Sequence, residues 1–181
     1  MKAIITFLLL FVSVLTYSQS EKYFNYEISK FSRPRVDTTY SITPKFEECP
    51  YKQEDFGLFD FKDGAGMYVR RFVNNITKAV LKDTVEMLEY RLGKDSEASW
   101  AKVTLYIDEE GNIRYIFLSI TKNDRKYLSD ALLYELYQKF KATKFDMRVG
   151  VFRSKTGDAP TGKCFTIVMS LYTKIFRNKA L

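Results

Sequence analysis

The stretch from Lys102 to Ile120 limits the fold more than any other part of this 181-residue chain. Val103, Leu105 and Ile107 alternate with Lys102, Thr104 and Tyr106, the period-two pattern of a half-buried strand. Asp108-Glu109-Glu110-Gly111-Asn112 then reads as a reverse turn in which Gly111 is free to take a positive φ. A second strand follows through Ile113, Tyr115, Phe117 and Ser119, with Ile116, Leu118 and Ile120 on its other side. A hairpin of this kind carries apolar surface that it cannot bury alone, so the chain must supply a cover.

Helical spacing supplies that cover. Leu128, Leu132, Leu136 and Phe140 step at i+4, which predicts an amphipathic helix from about Asp124 to Lys141. Gly64 opens another, with Val69, Val73, Ile76 and Val80 on one stripe and Tyr68 and Phe72 beside it. Residues 83 to 92 fit a helix capped by Asp83 and stopped by Gly93, the preferred reading, although Leu88, Tyr90 and Leu92 also fit a strand. Near the C-terminus Phe165, Ile167, Met169 and Leu171 alternate with Thr166, Val168, Ser170 and Tyr172, which predicts a third strand. The expected class is α+β: a small antiparallel β-sheet, made of the hairpin plus the C-terminal strand, with helices packed on one face.

Three segments are expected along the chain. Lys2 is followed by a charge-free apolar run to Ser20, with small residues spaced for cleavage after Ser18 or Ser20, so residues 1–20 read as a signal peptide. A helix over Ala3 to Tyr17 reaches roughly 22 Å, against a hydrocarbon core of roughly 30 Å. A cleaved signal, and not a permanent membrane anchor, is therefore expected, with a periplasmic or secreted product. Residues 21–62 are aromatic-rich and interrupted by Pro34, Pro44 and Pro50. Tyr23 to Phe31 and Thr39 to Thr43 fit short strands, and the segment reads as a loosely patterned N-terminal extension. Residues 63–181 form the expected domain.

Composition narrows the chemistry. The chain has no histidine, which excludes Ser-His-Asp and Cys-His nucleophile pairs and His-metal sites. Two cysteines, Cys49 and Cys164, exclude a tetrathiolate zinc site within one chain. In an exported chain they fit either one disulfide or two free thiols. Asp108, Glu109 and Glu110 read as turn formers and not as an acid–base pair, because neighbours on a turn stay solvated. Glu47, Glu48, Glu54, Asp55, Asp60 and Asp63 match no calcium-loop spacing and read as an acidic surface loop. No catalytic residue, metal or cofactor is expected. The formal charge of +7 is scattered along the chain, and an exported protein is not expected to meet nucleic acid.

In order and spacing, these pieces resemble the C-terminal domain of TonB, the energy-transducing protein of Gram-negative envelopes, over about Phe61 to Phe176. Phe61-Lys62-Asp63-Gly64-Ala65-Gly66 resembles its glycine-rich lead into a helix. Val103 to Ile113 resembles its strand, acidic-Gly turn and strand; Leu128-Ser129-Asp130-Ala131-Leu132 resembles the start of its Leu-Asp-x-Ala helix. Gly162-Lys163 resembles its lead into the last strand. The Pro-rich linker and the anchor of a full transducer are absent, and the loop from Met147 to Thr161 is longer than usual. The resemblance therefore implies a stand-alone, TonB-like domain. In such domains a receptor peptide adds to the sheet as an extra strand, with affinity from main-chain hydrogen bonds. Carried to this chain, it implies a non-enzymatic protein- or peptide-binding module of the cell envelope, in which Thr166, Val168, Ser170 and Tyr172 flank the peptide. The other expectation is a structural or assembly component that oligomerises through residues 21–62.

Overall fold

The computed structural model describes residues 22–29, 38–82, 101–153 and 162–171. The expected signal peptide, the segment 83–92 and Tyr172 lie outside these residues. The elements in chain order are β1 (Phe24–Ile28), β2 (Thr39–Pro44), β3 (Leu58–Phe61), α1 (Ala65–Leu81), β4 (Ala101–Asp108) and β5 (Ile113–Thr121). After them come α2 (Lys122–Arg125), α3 (Asp130–Lys141), β6 (Gly150–Arg153) and β7 (Cys164–Ser170). Five strands form one antiparallel sheet in the order β1-β2-β5-β4-β7, and β3 pairs with β6 in a second, two-stranded sheet.

The hairpin forms as its alternation dictates. Val103, Leu105, Ile107, Ile116, Leu118 and Ile120 are buried on one face. Val69, Val73, Ile76 and Val80 of α1, and Leu133, Leu136, Tyr137 and Phe140 of α3, join them in a single core. The protein is α+β, with its helices on one face of an antiparallel sheet. Asp108 locks the turn: its carboxylate accepts from the Glu110 and Asn112 main-chain N–H groups, at 3.0 and 2.8 Å, and from the Arg114 Nε at 2.6 Å. Gly111 has φ +85°, and a Cβ there would run into the Phe145 carbonyl oxygen, so no other residue fits without displacement.

Two expectations need correction. The helix expected from about Asp124 is broken: Ser129 has extended backbone (φ −61°, ψ 157°), and its hydroxyl accepts from Leu132 N to cap a helix that begins at Asp130. Leu128 is buried ahead of the cap, so the i+4 series ran across a helix start. Residues 21–62 are not a separate extension either. β1 and β2 continue the main sheet on β5, through pairs such as Tyr26 with Ile42 and Ile42 with Leu118. β3 pairs with β6 inside the connection expected to be a loop. Phe24 and Ile42 are wholly buried in the common core. A variant lacking residues 21–45 would therefore lose two strands of the main sheet.

Candidate functional site

β7 is an edge strand whose polarity follows from its register. It pairs with β4 from Cys164 opposite Asp108 to Ser170 opposite Lys102. In an antiparallel ladder, residues that bond to the neighbour alternate with residues whose N–H and C=O point away. Leu171 N donates to Ala101 O at 2.9 Å, and Cys164 O accepts from Gly57 N at 2.8 Å on the other side. Phe165, Ile167, Met169 and Leu171 therefore bond inward to β4. Thr166, Val168 and Ser170 turn their main-chain groups outward, where no strand of the described residues pairs with them.

Side-chain placement agrees with that division. Phe165, Ile167 and Leu171 are buried against the helices, and Met169 packs beside them. Thr166 is exposed, Val168 is 56% exposed and Ser170 is half-buried. They lie on the helix-free face, opposite Tyr106, Thr104 and Lys102 of β4. From Cys164 to Leu171 there is no charge, proline or glycine, the usual devices that protect an edge.

The first rung of this edge is already taken. The chain from Lys52 to Gly57 crosses the helix-free face as a strap, and Phe56 forms a parallel bridge with Cys164. Lys163 N donates to Asp55 O at 2.7 Å, and the Lys163 ammonium pairs with the Asp55 carboxylate at 2.8 Å. This pairing, together with the bond from Lys52 N, holds the Asp55 carboxyl below the usual carboxylate range. The Phe56 ring sits 5.7 Å from that of Tyr106, which in turn packs edge-on against Tyr115. Gly57 then turns away into β3, a tight passage where a Cβ would strike the Phe152 ring.

Beneath the strap lies a group of titratable side chains kept neutral. Burial pushes the Cys164 thiol up to about 12, and does the same to the Tyr51 and Tyr115 hydroxyls. Such groups carry their protons at neutral pH, so none of them is poised as a nucleophile or general base. Cys49 is exposed and Cys164 buried, and both are free thiols; the disulfide alternative is not formed.

The acidic segment expected to be a solvated loop is tied to basic residues far along the chain. Glu47 pairs with Lys141 at 3.1 Å, Asp55 with Lys163, and Asp60 with Arg153 at 3.0 Å. No group of His, Cys, Asp and Glu arranged to hold a metal occurs among the described residues. No helix among them is long and apolar enough to cross a membrane. Sequence reasoning placed Thr166, Val168 and Ser170 but missed the strap, because Asp55 and Lys163 are joined only by the fold.

Comparison with known proteins adds little. No protein-family model and no curated protein matches the chain. A solved structure of a DUF5043 family protein from Bacteroides uniformis is similar at 9% identity, with a TM-score of 0.45 over 83% of this chain and 80% of that one. So distant a likeness carries neither family nor function.

Proposed function

We propose that this protein is an exported, non-enzymatic binding module of the cell envelope that takes up a protein or peptide segment as a strand along the outer edge of β7. The observation that carries the reading is the row of outward main-chain groups at Thr166, Val168 and Ser170 on a strand without edge protection. The TonB-like order of elements and the signal-like first twenty residues support it.

Magnitudes set what the ligand must bring. Main-chain hydrogen bonds at three outward residues contribute about 0.5–1.5 kcal/mol each, against an association cost of about 4–15 kcal/mol. Backbone pairing alone gives weak binding, so side chains beside Val168 must supply the rest. An uncharged segment with β-branched or aromatic residues at alternate positions meets that need.

Titration calorimetry with N-terminal peptides of envelope receptors tests the reading when wild type is compared with Val168→Pro. The Val168 N–H points outward, so proline removes a donor from the free edge and none from the ladder. The expected result is binding to wild type and its loss in a folded V168P variant. No binding to wild type, or undiminished binding to the variant, refutes strand addition at β7.

A further inference from the structure

The outer face of α1 stands apart from the β7 edge and carries its own chemistry. From Ala65 to Leu81 the helix contains no acidic residue. Its buried stripe, Val69, Val73, Ile76 and Val80, faces the core, so the opposite side faces solvent. That side presents Arg71 and Lys78, with Arg70 on its flank and Lys82 following at the helix end, all exposed. None of the four forms an ion pair among the described residues, whereas Lys141, Arg148, Arg153 and Lys163 all do. One turn before the arginines Met67 is 55% exposed, an apolar side chain on the same side as the cations.

We infer that this face of α1 docks on an anionic phospholipid surface. Cations along the exposed side and flank of a rigid helix that itself carries no acidic residue, with one flexible apolar side chain at its end, match the headgroup layer in charge and form. Each cation at such a surface raises binding about fivefold. The four together therefore favour reversible, salt-sensitive association and not permanent insertion. Because α1 turns this face away from the sheet, a docked molecule leaves the β7 edge, which lies in the plane of the sheet, accessible.

Co-sedimentation with vesicles tests the inference, using the chain from residue 21 onward, which holds every described element. Vesicles of phosphatidylglycerol mixed with phosphatidylcholine are compared with phosphatidylcholine alone. The expected result is binding to the anionic vesicles only, weakened by salt. Arg70→Glu, Arg71→Glu and Lys78→Glu together should lower it at least about a hundredfold with thermal unfolding unchanged. The same charge change at exposed Lys126, Lys139 and Lys144 should leave most of it. Absence of binding, equal binding to both vesicles, or equal loss from both triple variants overturns the inference. So does a face that binds polyglutamate while ignoring the vesicles, since the partner would then be an acidic polypeptide.

Discussion

The two edges of the main sheet are built differently: one is tied down by side chains, while the other keeps outward main-chain groups that no described strand pairs. At the β1 edge the Asp130 carboxylate accepts from the Tyr23 N–H and from the Tyr26 hydroxyl, both at 2.7 Å. The Arg125 guanidinium lies over the Tyr26 ring at 4.3 Å, and Glu27 places a charge in the strand itself. At the β7 edge, among the described residues, only the first rung is secured, by the strap at Asp55 to Gly57. Beyond it an uncharged strand turns three pairs of main-chain groups outward. A sheet that ties down one edge with side chains and leaves the other plain is the arrangement that the proposed strand addition at β7 requires.

The largest effect comes from confusing the two sides of β7. Ile167→Pro removes a bond from the ladder to β4 and should cost about 3 kcal/mol or more, enough to unfold much of the protein in urea. Val168→Pro, one residue away, should leave a cooperative transition close to wild type. Equal destabilisation by the two would mean that both sides of β7 are paired.

Asp130→Ala tests the protected edge. It leaves a main-chain N–H and a hydroxyl without their acceptor, and should cost about 2–3 kcal/mol by chemical denaturation. It should also raise the exchange rate of the β1 amides without affecting β7. A change confined to α3 would show that Asp130 serves only as the first residue of that helix.

A smaller effect tests the hairpin that holds both edges in register. Although burial works to raise the Asp108 pKa, hydrogen bonds from the Asn112 side chain, the Asn112 main chain and Arg114 outweigh it and hold the carboxyl below its usual range. A lowered folded-state pKa means stability that is present above the unfolded carboxylate range and lost as pH falls through the folded value. Asp108→Asn should cost about 1–2 kcal/mol at neutral pH and flatten the acid limb of the stability profile. An unchanged acid limb would put the acid sensitivity elsewhere.

Much of this architecture is written in local pattern. The hairpin from Val103 to Ile120, the stripe Val69–Val73–Ile76–Val80 and the alternation of β7 each follow from residue spacing, because one face of each element is buried. β1 and β2 are harder to read, since their prolines and short runs suggest a loose segment. β2 joins them to the sheet through β5, some eighty residues away, and pairing over that distance leaves no periodic trace. The series from Leu128 to Phe140 misleads for a related reason: Leu128 is buried by tertiary packing, while Ser129 starts the helix after it. For the candidate site, the outward residues of β7 are legible. That β7 lies at the edge is not, because strand order depends on contacts the sequence does not encode locally. The strap shares that limit, as Asp55 and Lys163 meet only after folding.

Residue-resolved amide hydrogen exchange along β7 tests the open edge most directly. Phe165, Ile167 and Met169, which bond inward, should exchange slowly, while Thr166, Val168 and Ser170 exchange at close to solvent rates, giving an alternating profile. Uniform protection from Phe165 to Ser170 would mean that the outer edge is covered and would contradict the account.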